Sequence, residues 1–336
     1  MQIKKNFFSG SVLILSLWMV ALLSTIVITL GYGIRQKVSL VVRLEEKRRL
    51  SCLIDAGIRK AIDFLKKQEC VGYIGLNDKL INNPLDFKDM DFGQDRVSFA
   101  NSVWDDVEKD FINCYGLIDE SRKLNINTTT LPTLKRFFIL LGLDELKADE
   151  IASSVIDWRD TDDLLSSPNS AEDTYYRFLE SAYEAKDSNF EILEELLLVR
   201  GMDRDIFFKA KDYLTVYGNG RVNINTTSRI VLLALGLSED LVDKIITFRA
   251  GKDGALGTAD DNVFKNIEEI IPRLSKNFEL NSIEIEQMNS VAERYLTVDS
   301  DFFTIKATAQ PKGTERKLTV TAVVDKSGKI LRWEES

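Results

Sequence analysis

Between Lys5 and Arg35 the chain carries no charged residue, and no other feature limits its folding so sharply. The run from Ser11 to Gly33 (SVLILSLWMVALLSTIVITLGYG) is long enough to cross a bilayer as a helix, at about 1.5 Å per residue. A cleaved secretory signal needs a shorter apolar region closed by a small-x-small site, and ITLGYGIRQ offers none. A plain signal anchor fits the hydrophobicity, yet an anchor ordinarily breaks at the interface. Here no proline occurs before Pro84. Beyond the apolar run Leu50, Leu53, Ile54, Ile58, Ala61, Ile62 and Leu65 recur at three- and four-residue steps, with Arg48, Arg49, Asp55, Arg59, Lys60 and Lys66 between them. The spacing predicts one continuous helix from about Ser11 to Lys67, on the order of 85 Å long.

The remaining chain has the material for packed cores: 336 residues, 44% hydrophobic and 29% charged, allow one to three domains. A formal net charge of -9 repels phosphate backbones, so nucleic acid is not expected as a partner. The absence of histidine removes Ser-His-Asp triads, Cys-His dyads and His-ligated zinc. No P-loop, dinucleotide fingerprint or nucleophile elbow occurs, and the chain is not expected to be an enzyme. Cys52, Cys70 and Cys114 form no CxxC. Two readings of them stay open: a Cys70–Cys114 bridge in an oxidising compartment, or three unpaired small hydrophobes.

Strand patterns stand at both ends of the remainder. Arg96 to Trp104 alternates, and Cys114 to Asn127 reads as a strand pair around Asp119, Glu120 and Ser121. Phe302 to Ala309, Lys317 to Val324 and Ile330 to Trp333 alternate again, the last two joined by a turn at Asp325 to Gly328. The helical middle holds a repeat. KLNINTTTLPTL, LLGLDEL and IASSVIDWRD in 123–163 correspond to RVNINTTSRIVL, ALGLSEDL and VDKIITFRAG in 221–262. Asn127, Thr128, Asn225 and Thr226 are suited to cap the helices that follow. A third helix–turn–helix is expected from Phe190 through Gly201 to Tyr213. The pattern predicts an α+β protein whose sheet is interrupted by an all-α insertion; two separate domains are the alternative.

Each repeat runs into a loop dense in oxygen ligands. After Trp158-Arg159 come Asp160, Asp162 and Asp163, then Asn169, Glu172 and Asp173; after Phe248-Arg249 come Asp253, Gly254, Gly257, Thr258, Asp260, Asp261 and Asn262. Without histidine, a metal site here suits a hard cation such as calcium, which takes about six to eight oxygens from a flexible loop. Solvated acidic turns are the other reading. Neither loop has EF-hand spacing.

Taken together, these segments resemble the minor pseudopilin K (GspK) family of type II secretion systems. The short basic peptide MQIKKNFFSG followed by an apolar helix resembles a prepilin leader, which implies cleavage after Gly10 and a mature chain starting at Ser11. The fifth mature residue is then Leu15 rather than the glutamate of most pilins, a departure that matches the K component. The DW-x-D-x-D stretch at Asp157, Trp158, Asp160 and Asp162, the Ala171-Glu172-Asp173 that follows, and EILEELLLVRGM (191–202) are also family-like. The resemblance implies a leader at 1–10, a membrane-crossing segment at 11–33, a pilin-like α/β domain from 34–124 and 295–336, and a helical insertion at 125–294. It implies structural calcium, with Asp160, Asp162, Asp163 and Glu172 for one ion and Asp253, Asp260, Asp261 and the Gly257 carbonyl for a second.

The partners implied are the I and J pseudopilins, with H as a further candidate, the major pseudopilin and a prepilin peptidase, with a single pass through the inner membrane and a periplasmic head. The repeats resemble tandem helix-hairpin-helix (SAM-like) units, which raises a rival: a minor pilin of a type IV pilus or competence system with a DNA-binding or adhesive head. Against DNA, the Gly142 and Gly236 turns carry Asp144, Glu145, Glu239 and Asp240 where phosphate would sit.

Overall fold

The structure, a computed structural model, describes residues 8–67, 72–105 and 110–335. Most of the expected leader and Cys70 lie outside the described residues. The chain divides into two compact units, Met1–Leu53 and Ile54–Ser336.

In the first unit the described residues are helical throughout, within α1 (Phe8–Lys67, 60 residues). Gly10 and Ser11 fall in its first turns. From Val12 to Leu44 its large apolar side chains are exposed. It is the one helix among the described residues long and apolar enough to cross a membrane.

In the second unit the last part of α1 lays one face on a sheet. Ile54, Ile58, Ala61, Ile62 and Leu65 are buried, each worth about 1.5–3 kcal/mol relative to exposure for the larger side chains. Gly57 lies on the same face, and a Cβ there would come within 3.0 Å of the Phe99 ring, so glycine lets helix and sheet approach closely.

The sheet is antiparallel, and its strands are β1 (Met90–Phe92), β2 (Asp95–Asp105), β3 (Asp110–Tyr115), β4 (Ile118–Asp119), β9 (Phe302–Pro311), β10 (Leu318–Asp325) and β11 (Ile330–Glu335). The intervening strands, β5 to β8, belong to the helical region described below. The long strand β2 serves two neighbours: its first half pairs with β9 (Phe99 opposite Ala307) and its second with β3 (Val103 opposite Ile112). Beyond β2, β9 takes β4 on the same edge, with Asp119 opposite Phe303. The expected strands at 96–104, 302–309, 317–324 and 330–333 all form. The turn after β10 closes through Asp325, whose carbonyl accepts from the Gly328 amide at 2.8 Å and whose carboxylate accepts from the Lys329 amide at 2.9 Å.

The strand pair expected over 114–127 is broken in the middle. Residues Glu120–Arg122 form a single 3-10 turn, because the Asp119 carboxylate accepts from the Ser121 amide at 2.7 Å and turns the chain away from the sheet. It then enters β5 (Leu124–Asn125), which pairs in parallel with β6 (Leu214–Thr215); β7 (Val222–Asn223) pairs in parallel with β8 (Leu296–Thr297). β5 and β7 are the equivalent strands of the two sequence repeats.

The repeats fold alike. The first continues into α3 (Leu131–Leu140) and α4 (Glu145–Arg159), the second into α7 (Arg229–Ala234) and α8 (Glu239–Arg249). Between them lie α5 (Asp173–Tyr176) and α6 (Arg204–Ala210), while α9 (Ile270–Asn277) and α10 (Ser282–Tyr295) close the region. A four-residue helix, α2 (Pro84–Phe87), precedes the sheet. Of the third expected helix–turn–helix, the first arm is a 3-10 segment, Leu193–Leu198, and α6 is the second.

The expected caps are otherwise placed. Thr130 and Ser228 occupy the N-cap positions, and neither makes a side-chain cap bond. Asn127 and Asn225 are employed instead across the fold: Asn225 Nδ2 donates to the Phe264 carbonyl at 2.9 Å while its Oδ1 accepts from the Phe264 amide at 2.8 Å. The terminal arginines repeat too, Arg159 donating to the Thr129 carbonyl at 2.7 Å and Arg249 to the Thr227 carbonyl at 2.6 Å.

Sheet and helical region meet at two buried carboxylates. Asp119 Oδ2 accepts from Asn223 Nδ2 (2.8 Å) and Thr226 Oγ1 (2.6 Å), tying β4 to the second repeat. Glu120 accepts from Thr304 (2.7 Å) in the sheet, Thr215 (2.6 Å) in β6, and Lys123 (2.6 Å). Burial pushes the Asp119 carboxyl up. Burial works the same way on Glu120, but Lys123 and the two hydroxyls outweigh it and hold that carboxyl below its usual range.

Candidate cation site

The first acidic loop begins where α4 ends. That helix is capped by Asp144, whose carboxylate accepts from the amides of Leu146 (3.1 Å) and Lys147 (3.0 Å), so the turn at Gly142 is closed by its own acid. The last turn of α4 buries Asp157 and Trp158. The Trp158 ring stands against Tyr176 (5.3 Å), Tyr183 (6.1 Å) and Phe190 (6.4 Å).

Glu172, at the N-cap of α5, is 3% exposed, and both its carboxylate oxygens lack a hydrogen-bond partner. Asp157 Oδ2 and Asp160 Oδ1 are likewise buried without a partner; Asp157 Oδ1 accepts from the Ser166 amide at 3.0 Å. Burial, and after it repulsion from Asp157 and then Asp160, pushes Glu172 up to about 7. Burial and then Asp157 push Asp160 up to about 6. Asp187, held with φ 50° by a bond from its amide to the Trp158 carbonyl at 3.1 Å, adds to the negative field on both.

Buried carboxylate oxygens with no donor, repelling one another, are the arrangement a hard cation relieves. Among the described residues no three acidic or thiol groups stand closed around a common point. The first-loop acids are gathered closely enough to perturb one another without being closed. Of the residues expected as ligands, Asp160 and Glu172 are brought together. Asp162 and Asp163 lie on the exposed rim, with Asp162 Oδ1 accepting from the Leu164 amide at 2.9 Å. Asp173 is used structurally, bonded to Arg177 (2.7 Å) and to the Ala185 amide (2.8 Å). Sequence reasoning passed over Asp157 and Asp187 as ligands. Asp157 was visible beside Trp158, whereas Asp187 returns from far along the chain and carried no local signal.

The second loop is built differently. Asp260 Oδ2 accepts from the amides of Lys252 (2.7 Å) and Asp253 (3.1 Å), and Oδ1 from Thr258 Oγ1 (2.8 Å). These donors hold its carboxyl far below the usual range. Asp261 accepts from the Gly257 amide (2.7 Å) and the Thr258 amide (3.2 Å), while burial pushes it up. The Gly257 carbonyl already accepts from Asn82 at 3.2 Å, and Asp253 Oδ1 from the Ala255 amide at 2.9 Å. Here the loop's own amides satisfy the acids.

Of the expected cysteine pair, Cys114 is buried near the end of β3, opposite Asn101 of β2, and burial pushes its thiol up to about 11.

A long apolar N-terminal helix with an antiparallel sheet and a helical region defines a mixed α+β fold of the GspK kind. Residues 112–219, which contain β4, the first repeat and its acidic loop, match the family model described as type II secretion system (T2SS), protein K. Among solved structures, a chain of the GspK-GspI-GspJ complex from the enterotoxigenic Escherichia coli Type 2 Secretion System has the same fold. The TM-score is 0.62 at 17% identity, covering 87% of this chain and 97% of that one. No curated protein matches the sequence to a significant degree. The resemblance to the type II secretion minor pseudopilin K family is thereby borne out.

Proposed function

We propose that this protein is a minor pseudopilin at the tip of a type II secretion pseudopilus, taking part in pseudopilus assembly and protein export. The observation that carries the reading is the protein K match over 112–219, in a chain that begins with a membrane-length apolar helix. The likeness to a chain of the GspK-GspI-GspJ complex supports the I and J pseudopilins as partners. The helical region is too bulky to recur with every subunit of a filament, and Leu15 removes the glutamate that would receive a subunit above; both favour the tip.

In this reading α1 crosses the inner membrane once and the head is periplasmic. A prepilin peptidase removes residues 1–10 after Gly10, and the new amine at Ser11 is methylated. The two helix–turn–helix pairs are helix-hairpin-helix (SAM-like) units that serve packing, which the Asp144 cap at the Gly142 turn supports over a phosphate-binding role.

The first acidic loop holds a structural calcium ion, with Glu172, Asp160 and Asp157 supplying buried oxygens, and Asp187, Asp162 and Asp163 available from the rim. Calcium would supply compensating charge and rigidity rather than reactivity. For a second ion at Asp253, Gly257, Asp260 and Asp261, the cation would have to replace amide donors already in place. A Cys70–Cys114 bridge is compatible with a periplasmic head.

Mass spectrometry of the mature N-terminus, in cells with and without the peptidase, tests the core of the proposal. A chain starting at Ser11 only where the peptidase is present is the expected result. A retained leader in peptidase-positive cells would remove the pseudopilin reading.

A further inference from the structure

The segment between the two parallel ladders contains Asn219-Gly220, the one Asn-Gly pair of the sequence. Asn219 is exposed, and its Oδ1 accepts from the Arg221 amide at 3.0 Å. That bond closes an Asx turn, which holds the carboxamide against its own backbone on either side of Gly220. Gly220 has φ 84° and carries no side chain to shield its nitrogen; a Cβ there would collide with Thr128. Among the described residues its amide donates to no acceptor. One nucleophile-to-be, one electrophilic carbon and one hydrogen-bond donor on the electrophile's oxygen are thus assembled in three consecutive residues.

We infer that this turn is a self-modification site, at which the Gly220 nitrogen attacks Asn219 Cγ and deamidates it. Solvent base takes the Gly220 amide proton, and the nitrogen forms a bond to Cγ. The π pair of the Cγ–Oδ1 bond moves onto Oδ1, where the Arg221 N–H already stands to stabilise the charge. Collapse expels Nδ2 as ammonia, protonated by water, and leaves a five-membered succinimide. Water then opens the ring at either carbonyl, giving aspartate or isoaspartate. The net change is asparagine plus water to acid plus ammonia, with no oxidant or reductant.

The consequence is local to the joint between the repeats. Asn125 Nδ2 holds the carbonyls of Tyr217 (3.0 Å) and Gly218 (2.8 Å), and β7 begins at Val222. Isoaspartate inserts an extra main-chain atom between those fixed points, and either product places a carboxylate beside Arg221.

The test is incubation of the purified full-length protein in mildly alkaline buffer, folded in detergent and, separately, unfolded in guanidinium. Peptide mapping then quantifies isoaspartate and the gain of about 1 Da per event. Deamidation at Asn219 in the folded chain at a rate at least equal to that in the unfolded chain is expected, because the turn preorganises the attack. A folded-state rate below the unfolded one overturns the inference. So does an unchanged yield in Asn219→Gln, which would put the change elsewhere.

Discussion

Asn127 and Phe190 bond to each other in both directions: Asn127 Nδ2 donates to the Phe190 carbonyl at 3.0 Å, and its Oδ1 accepts from the Phe190 amide at 2.7 Å. The side chain thus completes a backbone-like bridge from the first repeat to the chain beyond its acidic loop, as Asn225 does from the second repeat to Phe264. Replacing Asn127 with alanine leaves a buried donor and acceptor without partners, each costing about 1–3 kcal/mol. Asn127→Ala should therefore lower the unfolding free energy by about 2–4 kcal/mol, against under about 0.5 kcal/mol for an exposed control such as Asn169→Ala. Denaturant titration of the detergent-solubilised chain measures both.

Glu172 and Asp160 set the pH behaviour of the ion-free protein. Their folded values, about 7 and about 6, lie above those of an unfolded chain. A raised carboxyl contributes stability that is full below the unfolded value, about 4, and is lost as pH rises through the folded one. With calcium chelated, melting temperature should fall between about pH 4 and pH 7.

Calcium reverses that loss if the loop binds it. At neutral pH an ion at about a hundredfold over its dissociation constant adds about 2.7 kcal/mol. The increment should vanish in Glu172→Gln and persist in Asp253→Asn of the other loop. A melting temperature indifferent to calcium would remove the ion from the proposal.

Lys123 carries the ionised form of Glu120 in the joint between sheet and helical region, at 2.6 Å with both side chains largely buried. Lys123→Met leaves that carboxylate uncompensated and should cost about 3–5 kcal/mol. The double variant Lys123→Met with Glu120→Gln should recover part of the loss. Equal melting of the two variants would show that the pair does not hold the joint.

Thiol labelling separates the cysteines. Cys52 is exposed, while Cys114 is fully buried with its thiol pushed up to about 11. Maleimide should modify Cys52 in the folded chain and leave Cys114 untouched. Unfolding without reductant then reports on a bridge to Cys70, since a bridged Cys114 stays unlabelled.

The parts of this fold that were readable from sequence are those written as periodicity. The three- and four-residue steps at Ile54, Ile58, Ala61 and Leu65 gave the buried face of α1, and alternation gave β2, β9, β10 and β11. The repeat was legible because NINTT recurs, but its use was not. Whether Asn127 caps the next helix or bridges to Phe190 depends on a loop segment 63 residues away. The acidic loops looked equivalent as compositions. They differ in how many backbone amides turn inward: Asp260 meets two, Glu172 none. That distinction arises from burial and loop closure, which residue types alone do not encode.

The position of β9 has a consequence for synthesis. It is the strand that β2, β4 and β10 all require, and it leaves the ribosome after β2, β4 and the whole helical region. The first repeat can close once Thr215 has emerged, and the second waits only for Thr297. Until β9 arrives, the edge of β2 that pairs with it from Asp95 to Phe99 remains open. The helical region is thus able to mature while the sheet is still an unfinished template, and β2 offers an unpaired edge to unwanted partners throughout that interval.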